Sequence, residues 1–126
     1  MDFVKIAGPL RIDSLSDQAE LKFKLPPRAG GRKAKVAQIM VKVLQRSSSN
    51  AKVGAYLEHS PDGTVSKPHS TPIAVQAATQ IPDLLVGDAD STKVLGEHLH
   101  WILSHQSITA TAEWSLVEVY VMTKAW

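Results

Sequence analysis

The sequence predicts an all-β protein: a single antiparallel β-sandwich domain over residues 1–126, jelly-roll-like, with roughly eight strands. Three observations predict it. Apolar and polar residues alternate with a period of two in several segments, as half-buried strands require. Clusters of Gly, Pro, Asn, Asp and Ser punctuate these segments at short intervals, the spacing of sandwiches and barrels. The 126 residues, 44% hydrophobic and 21% charged, suit one folded domain with its own core.

Short strands are expected at Phe3–Ala7 and Leu10–Asp13, divided by Gly8-Pro9. The next runs from Ala19 to Leu25, with Ala19, Leu21, Phe23 and Leu25 on one face and Glu20, Lys22 and Lys24 on the other. Pro26-Pro27 ends it, because proline has no N–H for the ladder. Lys33–Arg46 fits two periods. Val36, Ile39, Met40, Val43 and Leu44 form a helical stripe, whereas Ala37, Ile39, Val41 and Val43 form one strand face. Its β-branched residues favour the strand. After the Ser47–Asn50 turn, Lys52–Glu58 places Val53, Ala55 and Leu57 on one face. Ser60-Pro61-Asp62-Gly63 then supplies a proline-preset, glycine-relaxed turn.

Thr71–Val75 and Leu84–Val86 are short strands, the second followed by the turn at Gly87-Asp88-Ala89-Asp90. Thr92–His105 is again ambiguous between a helical stripe (Val94, Leu95, His98, Leu99, Ile102) and a strand with Leu99, Trp101 and Leu103 inward. Gly96 weakens the helix by about 1 kcal/mol relative to alanine, so a strand from His98 to His105 is preferred. Ser115–Thr123 is the clearest strand. Val117, Val119 and Val121 share its core face, and Leu116, Glu118, Tyr120 and Met122 the other.

Composition removes several function classes. The absence of cysteine excludes disulfides, thiolate metal sites, iron–sulfur clusters and a Cys nucleophile. A net charge of +2 argues against a dedicated nucleic-acid binder. No apolar run reaches the roughly 18 residues of a membrane span, and Met1–Lys5 lacks the charged and apolar regions of a signal peptide. A protein made in the cytoplasm without an export signal is therefore expected. No nucleotide fingerprint, paired-carboxylate frame or Ser/His/Asp motif context is present, so no enzymatic activity and no cofactor are expected.

The candidate sites are surfaces. If the three valines of the last strand fill the core, its second apolar face needs a cover, and a neighbouring copy is the economical one. Tyr120, Met122 and the terminal Trp126 would make that contact. Arg28, Arg32, Lys33 and Lys35 around Gly30-Gly31 form a basic loop suited to meeting a partner. Trp101, Trp114, Tyr56 and Tyr120 are core or interface anchors, or platforms for sugar rings, which keeps a carbohydrate-binding module as an alternative. His98 and His100 share one strand face and hold a metal only if a third ligand joins them; His59, His69 and His105 have no such spacing. Asp88-Ala89-Asp90-Ser91 has alternate oxygens, but without the glycine and distal Glu of a calcium loop it is a polar turn.

The strand Lys52–Glu58 with His59-Ser60-Pro61-Asp62-Gly63, and the ending Val117–Trp126, resemble the small jelly-roll β-sandwich structural proteins of tailed-bacteriophage virions. The resemblance implies a capsid, decoration or tail-associated subunit, located in the virion, that binds copies of itself and a viral shell or tail protein. Thr64-Val65-Ser66 stands where such modules often carry a Trp, which counts against carrying over a glycan-binding role.

Overall fold

A computed structural model describes residues 2–13, 18–23, 34–60, 67–68, 73–88, 98–107 and 112–125. These form strands β1 (Asp2–Asp13), β2 (Gln18–Phe23), β3 (Ala34–Arg46), β4 (Ala51–Ser60), β5 (Lys67–Pro68), β6 (Ile73–Ala77), β7 (Asp83–Asp88), β8 (His98–Ser107) and β9 (Trp114–Ala125). One sheet has the order β1-β9-β3-β7. The other has the order β2-β8-β4-β5, with β6 also pairing β4. All pairings are antiparallel.

The topology is that of a long hairpin rolled up on itself. The pairs β1·β9, β2·β8, β3·β7 and β4·β6 are nested, and they alternate between the two sheets. Rolling adds β3·β9 and β4·β8, which close each sheet across the fold. This is the jelly-roll arrangement of two interlocked Greek keys. Among the described residues no helix is long and apolar enough to cross a membrane.

The core forms where the inner faces meet. Val36, Ile39, Val41 and Val43 of β3 and Val117, Val119 and Val121 of β9 lie in one sheet. Val53, Ala55 and Leu57 of β4 and Leu99, Trp101 and Leu103 of β8 lie in the other, and all are buried. Each fully buried large aliphatic side chain contributes about 1.5–3 kcal/mol through removal from water. The first ambiguous segment is strand over Ala34–Arg46, as its β-branched residues favoured, and the preferred strand His98–His105 lies within β8; residues 92–97 lie outside the described residues.

Two strands depart from simple alternation. The segments expected at Phe3–Ala7 and Leu10–Asp13 are one strand, β1, because Gly8-Pro9 makes a bulge and not a turn. The register against β9 shifts between Lys5 and Ala7 and again between Ala7 and Leu10. Each shift resets the phase, so Val4, Ala7 and Leu10 pair with Val121, Val119 and Val117, the inward valines. Gly8 allows this with φ +122. In β3 a shift between Val36 and Gln38 does the same, bringing even-numbered Val36 onto the face of odd-numbered Ile39, Val41 and Val43. That slip is why the segment also fits a helical period. At Gly54, where a Cβ would lie 2.6 Å from Val75 Cγ2, the missing side chain lets β6 pack onto β4.

Candidate interaction surface

The outer face of the four-stranded sheet is built in rungs. Lys5, Tyr120, Met40 and Val86 stand side by side across β1, β9, β3 and β7. Glu118, Lys42 and Leu84 form the neighbouring rung, and Met122, Gln38 and Asp88 flank on the other side. The face is therefore apolar along Tyr120, Met40, Val86 and Leu84, with charge beside it. Lys5 Nζ pairs with Glu118 Oε2, and Tyr120 Oη donates to Glu118 Oε1 at 3.3 Å. The hydrogen bond from Lys5 holds the Glu118 carboxyl below its usual range and raises the lysine in return.

Tyr120 and Met122 are half-buried on this face, beside Met40, as the alternation of β9 requires. The most exposed part lies elsewhere. Ile81, Leu84 and Val86 are 40%, 49% and 45% exposed, and among the described residues they are the exposed large hydrophobics. All three fall on β7 and the turn that enters it. The run Leu84-Leu85-Val86 does not alternate in hydropathy, so the sequence alone does not tell which residue faces inward. Pairing with β3 decides it: Leu85 is buried, while Leu84 and Val86 face out. Trp126, Arg28, Arg32 and Lys33 lie outside the described residues. Lys35 is placed only by its backbone, opposite Lys124 in β9.

A polar cluster occupies one end of the sandwich. His105 Nε2 on β8 lies 2.9 Å from Ser115 Oγ on β9, a hydrogen bond that crosses between the sheets. Both residues are 1% exposed, and His105 Nδ1 has no partner. Close by, Ser47 Oγ donates to Glu113 Oε2 and accepts from Trp114 N at 2.9 Å, fixing the Ser47–Asn50 turn against the start of β9. Burial pushes the His105 imidazole below its ordinary 6.5, and the Asp13 and Glu113 carboxylates pull the other way. The folded state thus takes up its proton at lower pH than the unfolded chain. The neutral histidine's contribution is fully present above about pH 6.5 and is lost as pH falls through that value, until the folded imidazole is itself protonated. The melting temperature is expected to fall between pH 7.5 and 5.5, with a smaller fall in His105→Gln; equal slopes in calorimetric scans of the two proteins would refute the assignment.

The remaining candidates resolve individually. His100 is buried, with Nδ1 3.1 Å from Glu20 Oε1. The side chain of His98 lies outside the described residues, and among those residues no group of three or more His, Asp or Glu is placed to hold a metal. Asp83 accepts from the backbone N–H groups of Thr79 at 3.0 Å and Leu84 at 2.9 Å. These bonds lower its carboxyl pKa and make it a turn cap. Asp88 is exposed at the end of β7, and Asp90 and Glu97 lie outside the described residues. Trp101 is 0% exposed and is a core residue, so it offers no face to a sugar. The Trp114 ring lies under the Arg11 guanidinium, 4.9 Å from it, which occupies one of its faces.

No protein-family model and no curated protein matches this chain. Solved structures do. The VP2 subviral particle of infectious bursal disease virus superposes with a TM-score of 0.58 at 9% identity, over 98% of this chain and 32% of that one. The structure of the Gx strain of the same virus gives 0.56 at 13% identity, over 97% and 31%. A glycoside hydrolase family 43 arabinoxylan arabinofuranohydrolase from Bacillus subtilis gives 0.53 at 10% identity, over 98% and 27%. The chain spans about a third or less of each of these proteins. At such identities the likeness is one of fold, and viral shells and a carbohydrate-active enzyme share that fold with this chain.

Proposed function

We propose that this chain is a non-enzymatic structural subunit of a virion, a capsid, decoration or tail-associated component of a bacteriophage, that works by associating with copies of itself. The observation that carries the reading is the exposure of Ile81, Leu84 and Val86 on one strand and its entry turn, with the half-buried Tyr120 beyond the buried Met40 on the same outer sheet face. A subunit that exposes apolar side chains in one patch gains by covering it, and burial between copies is the simplest cover. The fold shared with the viral VP2 structures supports the same reading, since the first of them is described as a subviral particle.

A carbohydrate-binding role is the alternative, and it has less support because Trp101 is in the core and Trp114 lies under Arg11. Size-exclusion chromatography with light scattering tests the proposal. A mass at a multiple of 13.7 kDa that grows with concentration is expected. A strict monomer up to about millimolar concentration, where interfaces of even modest affinity are populated, would end it.

A further inference from the structure

The edges of the sandwich differ in how they are protected. Natural sheets guard an edge strand with prolines, lysines, bulges or extreme shortness, because its unpaired backbone otherwise recruits another strand. Strand β1 carries Lys5, Pro9 and Arg11 and two register shifts. Strand β2 turns Glu20 and Lys22 to solvent. Strand β5 is two residues long and ends in Pro68, and β6 is interrupted by a register shift against β4. Strand β7 lacks the prolines, lysines and bulges, and its guards are Asp83, whose carboxylate accepts from the Leu84 N–H, and Asp88 at its end. It pairs with β3 over six consecutive positions without a shift, and it contains no proline and no lysine. Among the described residues nothing pairs with its other side.

We infer that β7 is the self-association edge: two copies join β7 to β7 in antiparallel fashion about a two-fold axis normal to the sheet, making one continuous sheet from two. This rests on the self-association reading above and specifies its geometry. Such an axis preserves the faces, so inward residues must oppose inward residues, and a slip of one position is forbidden. The registers centred on Leu84, Leu85 and Val86 satisfy this. Centring on Val86 sets Leu84 against the exposed Asp88 twice. Centring on Leu84 sets Val86 against Pro82 and puts the Asp83 carboxylate against inward Leu85.

Centring on Leu85 avoids both faults. Leu84 then faces Val86 twice on the outer side, Leu85 faces its own copy on the inner side, and Asp83 faces Gly87, which has no side chain. Within Asp83–Gly87 no carboxylate opposes a carboxylate or an apolar group, and the exposed Asp88 falls beside Pro82 at the end of the pairing. The two residues left most exposed in the single chain, Leu84 and Val86, become each other's cross-strand partners.

The register makes a sharp prediction. Leu84→Lys and Val86→Glu are each expected to weaken self-association by about tenfold or more in sedimentation experiments, since each charge faces an apolar partner twice. Circular dichroism should show both folded, because both sites are solvent-facing in the single chain. Mixing the two variants is expected to restore association. The introduced ammonium of one copy then faces the introduced carboxylate of the other, while the unaltered Val86 and Leu84 face each other. Restoration by mixing Leu84→Lys with Leu84→Glu instead would overturn the register. If the wild type associates and both single variants associate as strongly, the edge inference falls and the assembly reading stands. A wild type that never associates removes both.

Discussion

Trp101→Ala is expected to lower the unfolding free energy by about 3–5 kcal/mol, among the largest losses from a single truncation in this molecule. The indole is 0% exposed and stands between Leu21 and Leu57 on the rung that joins β2, β8 and β4. Removing it strips apolar area from the core and leaves a cavity that two twisted sheets cannot close by moving together, because each is held by its own ladder. Trp101→Phe should behave differently. The indole Nε1 has no hydrogen-bond partner, so its burial already costs free energy that phenylalanine would not incur. Part of the lost volume is thereby offset, and a loss below about 2 kcal/mol is expected. Urea unfolding followed by far-ultraviolet circular dichroism measures both. Equal losses would show that the ring's volume is not what the core uses.

Gly8→Ala is expected to cost at least about 2 kcal/mol, although it adds one methyl group at the surface strand β1. Two independent effects add. At φ +122 an L-residue is strained. The new Cβ would also sit 2.7 Å from the Val117 carbonyl oxygen and 2.8 Å from Glu118 Cα. Both are backbone atoms of β9, the strand between β1 and β3. They cannot retreat without disturbing the ladder on the far side, so the bulge itself has to open. The expected shift in melting temperature is a drop of roughly 6 °C or more for a domain of this size. An unchanged melting temperature would mean that the bulge can be remade without the glycine. Release of β1 would also separate Lys5 from Glu118 at the margin of the interaction face.

The strands whose hydropathy alternates without interruption were legible from the residues alone. In β4, β8 and β9 the side chains placed inward by a period of two are the ones found in the core, because successive side chains on an extended backbone must point to opposite faces. In β1 and β3 the alternation slips at bulges. A bulge is a property of a strand pair, visible only when the partner's register is known. Hence Gly8-Pro9 resembled a turn, and Lys33–Arg46 also fitted a helical period although its β-branched residues favoured the strand. The candidate surface divided in the same way. Tyr120 and Met122 were assigned to the outer face from their own strand's period. The exposure of Leu84 and Val86 followed only from the position of β7 at the end of its sheet.

Local geometry is written in the order of the residues: extended segments, their inward sets and the turn residues between them. Steric alternation and backbone preference act within a few residues, so one chain suffices to read them. Which strand lies beside which was left to the folded molecule. The nested pairing of β1 with β9 and β3 with β7, the cross-sheet bond of His105 to Ser115 and the place of β7 at the end of its sheet's strand order all depend on residues distant along the chain. Such contacts are selected by the summed burial of two whole sheets, a quantity that no short window of sequence contains.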